Sequence, residues 1–143
     1  MARILVVDDD RSSVDAIARL LRDDGHEVTA LSAGREAVDA LAREPFDAVL
    51  TDLEMPGVDG HEVVRAAREH QPAACVVAVT ARAHDAERGL LERGACFVAD
   101  KPVDYDHVTA KIRECHERRR GPDGRCPLHS DAGAPSIVKL RRR

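Results

Sequence analysis

Asp8, Asp9 and Asp10 stand side by side directly after the apolar run Arg3–Val7. Asp52 follows the apolar run at 46–51, Thr80 follows the run at 74–79, and Lys101 with Pro102 comes shortly after the run at 95–99. Brought to one point, the aspartates repel one another and need a compensating cation. Oxygen donors without His or Cys favour a hard ion such as Mg²⁺. A carboxylate in such a place can act as a nucleophile and form an acyl phosphate. Lysine and a hard cation then neutralise the phosphoryl oxygens during transfer, and the Thr80 hydroxyl can donate to one of them. Acidic strand ends are often only the solvated starts of loops. That explanation suits any one position and suits the set poorly, because Asp, Asp, Thr and Lys close four of five apolar runs.

The elements between these residues follow a regular alternation. Arg3–Val7 reads as a buried strand. Val14, Ile17, Ala18, Leu20 and Leu21 then give a helical stripe, with Ser12 or Ser13 as its cap and Gly25 as its stop. Glu27–Leu31 is a second strand and Gly34–Arg43 a second helix, with Ala37, Val38, Ala40 and Leu41 on its apolar face. The third strand covers 46–51. Pro56-Gly57 and Asp59-Gly60 mark the loop after Asp52, and a helix over 62–70 ends before Pro72. A fourth strand at 74–79, a helix over 83–93 stopped by Gly94, a fifth strand at 95–99 and a charged helix over 105–120 complete the series. The strands are apolar along most of their length, as burial on both faces requires, so a parallel sheet covered by helices fits. Right-handed crossovers place every strand's carboxyl end on one edge, where ligands bind.

The stretches Ile4-Leu5-Val6-Val7-Asp8-Asp9-Asp10, Asp52-Leu53-Glu54-Met55-Pro56-Gly57-Val58-Asp59-Gly60, Val79-Thr80-Ala81, Gly94-Ala95 and Lys101-Pro102 agree in order and spacing with a known pattern. In combination they resemble the receiver domain of two-component response regulators, the CheY-like superfamily, over roughly residues 2–120; any one piece alone would be weak. The resemblance implies a doubly wound, five-stranded parallel sheet with flavodoxin-like order 2-1-3-4-5 and helices on both faces. It implies that Asp52 is the phosphoacceptor, modified by a sensor histidine kinase or a histidine phosphotransfer protein. Asp8 and Asp9 resemble the acidic pair that holds Mg²⁺, Asp9 as the more direct ligand and Asp8 partly through water. Asp52 and the Glu54 backbone carbonyl complete that ligand set. Thr80 resembles the switch hydroxyl, Lys101 the lysine that contacts a phosphoryl oxygen, and Pro102 the proline after it, whose peptide bond is typically cis. Asp10 matches no required ligand and is expected to be surface charge.

Four further positions bear on rate and readout. Ala81 leaves access to the phosphoryl site. Glu54 and Arg82 match positions that flank the phosphoryl group, and their opposite charges are expected to pair across the pocket and partly shield an acyl phosphate; the alternative is a solvent-screened pair of little consequence. Val98 stands three residues before Lys101, where similar domains often carry Tyr or Phe as a ring that swings inward. Phe97 lies on the opposite face of a regular strand, so the usual aromatic readout is missing while phosphorylation itself is expected to survive.

Composition bounds the rest. The 143 residues suffice for one domain with a sizeable core, and 43% hydrophobic with 34% charged residues reads as a soluble globular protein. No run of eighteen apolar residues occurs, and the N-terminus becomes charged too soon for a secretory signal. Cys75, Cys96, Cys115 and Cys126 form no dense framework, so thiols in a reducing, cytoplasmic setting are expected. Cys115, His116, Cys126 and His129 are too loosely spaced for a structural zinc site. The net charge of −4 divides into +6 for residues 118–143 and −10 for the remainder. The acidic body argues against broad nucleic-acid binding by the domain, and the tail is too short for a DNA-binding domain. The runs Arg118-Arg119-Arg120 and Arg141-Arg142-Arg143 suit an acidic partner, an anionic surface or simple solubility. No phosphate-binding loop ending in Gly-Lys-Ser/Thr is present.

The sequence thus reads as a receiver domain over 1–120 and a flexible basic tail or linker over 121–143, in which Ile137-Val138 is too short a run to make a core and 135–140 is open to ordering by docking. The expected activity is Mg²⁺-dependent phosphoryl acceptance with slow self-hydrolysis, in place of turnover of a substrate. The output surface implied by the resemblance is the fourth helix, fifth strand and fifth helix, a face that also suits a homodimer. Two alternatives stand beside this reading: a receiver portion of a hybrid kinase or DNA-binding regulator, and a phosphohydrolase acting on small phosphomonoesters.

Overall fold

A computed structural model describes residues 2–55, 57–81, 89, 94–101, 103–118 and 137–138. Its elements are β1 (Arg3–Val7), α1 (Arg11–Asp23), β2 (Glu27–Leu31), α2 (Gly34–Arg43), β3 (Ala48–Asp52), α3 (Gly60–His70), β4 (Cys75–Thr80), β5 (Phe97–Asp100), α4 (Tyr105–Arg118) and β6 (Ile137–Val138). The helix expected over 83–93 lies outside the described residues apart from Gly89, so α4 is the expected fifth helix.

All strand pairs are parallel, in the order β2-β1-β3-β4-β5-β6. The first five follow the expected order, with helices packed on the sheet. Alternation along each strand sends side chains to two cores. Ile4, Val6, Leu50, Val77 and Ala99 face α1 and α4, meeting Val14, Ile17, Leu21, Val108 and Ile112. Leu5, Val7, Val49, Val76, Ala78 and Val98 face the other way, meeting Ala37, Leu41, Val63, Val64 and Ala67. Burial on both faces is why the strands read as continuous apolar runs.

The sixth strand is a departure from the expected five. Ile137 and Val138 pair in parallel with Val98 and Ala99 on the outer edge of β5. A two-residue run too short for a core can still join a sheet, because the exposed edge of β5 offers backbone N–H and C=O groups in need of partners. The rest of the basic tail, 119–136 and 139–143 with Cys126 and His129, lies outside the described residues.

The helix ends carry their own signals. Asp10, expected only as surface charge, is the N-cap of α1: it accepts from the Ser12 amide at 3.2 Å and from the Ser13 hydroxyl at 3.0 Å. A carboxylate satisfies an orphan amide at a helix start, and the serines support it. Asp59 caps α3 through the amides of His61 and Glu62, so this helix begins at Gly60, two residues earlier than the pattern predicts. At its far end, Gln71 accepts from the Phe46 amide at 3.1 Å and donates to the carbonyls of Leu41 and Glu44, tying α3 to the connection between α2 and β3.

The loop that carries Asp52 into α3 depends on two glycines. Gly57 adopts a left-handed backbone, φ 75°. Gly60 packs against the chain it has just left: a Cβ there would run into the Asp52 carbonyl oxygen and come within 2.6 Å of Leu53 Cα. Both are backbone atoms, so the loop cannot yield without moving Asp52. Gly60→Ala is expected to destabilise the domain by about 1–3 kcal/mol, the usual cost of overpacking. Urea unfolding of the parent and variant checks this, and equal midpoints would contradict it.

Candidate functional site

The strand register assembles the site. Val7 lies opposite Thr51, so Asp8 and Asp52 leave the sheet as neighbours. Asp52 lies opposite Val79 and Thr80 opposite Asp100, which brings Thr80 and Lys101 to the same edge. The backbone continues the ladder past the strands, with Leu53 N–H donating to the Val79 carbonyl at 3.0 Å and Lys101 N–H to the Thr80 carbonyl at 3.1 Å.

At this edge Asp52 is buried, with 4% of its surface exposed. Lys101 Nζ pairs with Asp52 Oδ1 at 3.0 Å, and the Glu54 amide approaches the same oxygen at 3.4 Å. Carboxylate oxygens of Asp8, Asp9 and Asp52 lie within 4.8 Å of one another. Three oxygen donors at that spacing, without nitrogen or sulfur, suit a small hard divalent cation. The cleft has a volume of about 320 Å³ and is lined by Asp8, Ser13, Asp52, Lys101, Val103 and Tyr105, among others.

The charges respond to this crowding. Burial pushes the Asp8 carboxyl up to about 6; the Asp10 amide opposes the rise, Asp52 adds to it, Lys101 opposes it and Asp9 adds to it. Burial acts to lower the Lys101 ammonium, but its hydrogen bond to Asp52 and the charges of Asp52, Asp8 and Glu54 leave it raised above its ordinary value. Tyr105 is raised by burial and by the Asp8 charge, against Lys101.

Asp8, Asp9, Asp52, Thr80 and Lys101 therefore meet where the sequence places them. Thr80 is fully buried, yet its hydroxyl donates to Glu54 Oε2 at 2.6 Å. Glu54 thus engages the threonine; Arg82, its expected partner, lies outside the described residues, as does Pro102. Ala81 is exposed at the end of β4. Val98 is wholly buried in the core facing α2 and α3. Tyr105 and Ser13 also line the cleft; the sequence pattern marks Ser13 only as a candidate helix cap and does not single out Tyr105 as a site residue. Tyr105 is the chain's one tyrosine and stands four residues after Lys101, the signal that marks it.

Comparison with known proteins agrees with this geometry. A profile described as the response regulator receiver domain matches residues 4–113. The transcriptional regulatory protein TcrA of Mycobacterium tuberculosis is 37% identical over 126 residues, covering 87% of this chain and 49% of that protein. The crystal structure of a CheY-like response regulator receiver domain protein from Methanospirillum hungatei superposes with a TM-score of 0.76 at 29% identity, covering 82% of this chain and 94% of that one. The receiver domain of the sensor histidine kinase PA1611 of Pseudomonas aeruginosa, with a magnesium ion coordinated in its active site cleft, gives 0.71 at 28% identity, covering 81% and 98%. This α/β domain, with its acidic edge and its lysine, belongs to the response regulator receiver domain family. The chain spans about half the length of curated relatives such as TcrA. Among the described residues no helix is long and apolar enough to cross a membrane.

The raised Asp8 gives a pH signature with a definite sign. Its ordinary value is 3.8 and its folded value about 6, so the folded state holds this proton more tightly than the unfolded state. The resulting stability is fully present below 3.8 and is lost as pH rises through about 6. In chelator, Asp8→Asn is expected to melt above the parent at neutral pH, with the advantage shrinking toward pH 5. Melting curves across that window check this; a difference independent of pH would contradict it.

Proposed function

We propose that Asp52 accepts a phosphoryl group from a histidine kinase or a histidine phosphotransfer protein, and that the modification changes the chain's affinity for a downstream partner. The observation that carries this reading is the buried Asp52 carboxylate held between the Lys101 ammonium and the carboxylates of Asp8 and Asp9. A carboxylate oxygen of Asp52 attacks phosphorus. The new O–P bond forms as the bond from phosphorus to the donor's imidazole nitrogen, or to a small donor's leaving oxygen, breaks. Lys101 stays close enough to follow the charge onto a phosphoryl oxygen. Asp8, Asp9, Asp52 and the Glu54 carbonyl are the groups to hold Mg²⁺, which supplies positive charge beside the phosphoryl oxygens. Attack by water on phosphorus later returns the carboxylate and inorganic phosphate.

Thr80 then has a choice of partner. Its hydroxyl donates to Glu54 in this state; contact with a phosphoryl oxygen requires that bond to break. Glu54 thereby biases the domain toward the unmodified arrangement. Receptor surfaces for a partner include β5 and α4, and the same face suits a homodimer; β6 lies against this edge of β5. The site chemistry is the same whether the receiver acts alone or inside a longer regulator or sensor kinase.

Intact mass after incubation with Mg²⁺ and a small phosphodonor is expected to show one added phosphoryl group on the parent and none on Asp52→Asn. Chelation before donor addition is expected to abolish uptake. Uptake by Asp52→Asn would overturn the assignment, and catalytic release of phosphate over many turnovers would favour a phosphohydrolase.

Glu54→Ala removes the acceptor that holds Thr80. Loss of one such bond, about 1 kcal/mol, shifts a two-state balance about fivefold. Phosphoryl uptake on Asp52 is expected to quicken by about that factor. The acyl phosphate is also expected to hydrolyse faster once the flanking carboxylate no longer shields it. Rates unchanged in both directions would leave Glu54 without either role.

A further inference from the structure

Three cysteines far apart in sequence meet at the opposite edge of the sheet from Asp52. Cys75 is the first residue of β4, Cys96 immediately precedes β5, and Cys115 lies near the end of α4. The Cys96 amide donates to the Val76 carbonyl at 2.7 Å, so the two strand starts are side by side. Helix α4 begins at the Asp52 edge with Tyr105, and ten residues of helix, about 15 Å, bring Cys115 back down to them. The three sulfurs lie within 4.8 Å of one another, each side chain at 0% exposure, and none is in a disulfide.

We propose that Cys75, Cys96 and Cys115 form a binding site for a thiophilic divalent ion, Zn²⁺ in the first instance. Zinc–sulfur bonds of about 2.3 Å set sulfurs about 3.8 Å apart around the ion, a contraction of at most about an ångström from the observed spacing. Three sulfur ligands without oxygen select a soft or borderline ion over Mg²⁺. Binding replaces three S–H bonds with three sulfur–metal bonds and releases three protons to solvent. The resulting group carries one net negative charge, and the structure supplies its counter-charge. Arg68 Nη2 donates to Cys96 Sγ at 3.1 Å, and the Val76 amide donates to the same sulfur at 3.3 Å. Guanidinium and amide donors aimed at one sulfur are the outer contacts that orient and compensate a metal-bound thiolate.

Arg68 is held in that position. Its remaining donors engage the carbonyls of Gly94, Pro72 at 2.6 Å and Ala74 at 2.7 Å, spanning the starts of β4 and β5 from the end of α3. The competing arrangement is three packed thiols, with Cys96 reaching the Ala74 carbonyl at 4.0 Å. A single buried cysteine behaves as a small apolar side chain. Three converging on one point, one of them accepting from a guanidinium that the carbonyls of Gly94, Pro72 and Ala74 hold in place, have the spacing and the charge compensation of a ligand set.

The test uses the full chain carrying Cys126→Ser, so that the fourth cysteine contributes nothing, refolded with Cd²⁺ or Zn²⁺ because the closed sulfurs admit an ion most readily during folding. Excess Mg²⁺ occupies the acidic edge. One Cd²⁺ per chain is expected, with ultraviolet sulfur-to-metal charge-transfer absorption and protection of all three thiols from alkylation. Tight binding is expected to raise the melting temperature by at least about 5 °C. Cys96→Ser and Cys115→Ala are expected to lose the absorption while Mg²⁺-dependent mass gain on Asp52 continues. Where a single variant fails to fold, the Cys126→Ser chain decides alone: a folded, metal-treated sample without the absorption or the protection overturns the site. Absorption that persists in the variant lacking all three cysteines overturns it equally.

Discussion

The contact between Lys101 and Asp52, 3.0 Å across the ends of β3 and β5, is the interaction on which the acidic edge depends. Asp52 is buried and has Asp8 and Asp9 beside it, and an uncompensated buried carboxylate is strongly unfavourable. The lysine meets part of that demand. Beside it, burial above all, with the charges of Asp52 and Asp9, pushes the Asp8 carboxyl up to about 6. The edge therefore favours an added positive charge, and the oxygen donors determine that it be a hard one. On the proposed reading, this unmet charge demand is what couples divalent-ion binding to phosphoryl acceptance.

Such an edge can be held only by a sheet whose strands end together. The parallel register of β1, β3, β4 and β5 does this, and it is stabilised by two apolar cores rather than by the polar edge itself. Stability and chemistry are separated in space: the apolar residues that fix the register lie inside, and the charged residues occupy the strand ends and the positions just past them. Gly60, pressed against the Asp52 carbonyl, is where the two demands meet in one residue.

That separation explains what was legible in the sequence. Continuous apolar runs gave the strands, because both faces are buried, and the residue after each run gave the site. Strand order came from the resemblance and is now a property of the structure. Several features escaped because they depend on contacts between distant residues. The Thr80–Glu54 hydrogen bond joins positions 26 apart, where charge alone pointed to Arg82. The three cysteines lie 21 and 19 residues apart, too far for any ligand spacing to suggest them, and only the β4–β5 pairing and the return of α4 unite them. Asp10 has no signature beyond surface charge in the sequence, because its capping role depends on the backbone angle at the helix start. Side-chain patterning leaves Ile137-Val138 too short for a core and open to ordering by docking; its place on the edge of β5 is a backbone matter that the pattern does not report.

Val98 constrains how a change at Asp52 can reach the surface. A buried valine opposite Ala78 offers no ring to swing outward or inward, and the core around it is closed. In the proposed switch a route through the backbone is open. Thr80 is the last residue of β4 in its ladder with β5, and its carbonyl accepts the Lys101 amide, so in the proposed switch displacement of Thr80 from Glu54 would pull on the strand end that carries the lysine. That strand is β5, and Val98 and Ala99 pair on their far side with Ile137 and Val138. In the proposed switch, a shift at β5 is therefore felt first by whatever occupies its outer edge. In this structure the occupant is the chain's own C-terminal strand, so any partner that pairs with β5 must displace β6 before it can read the state of Asp52.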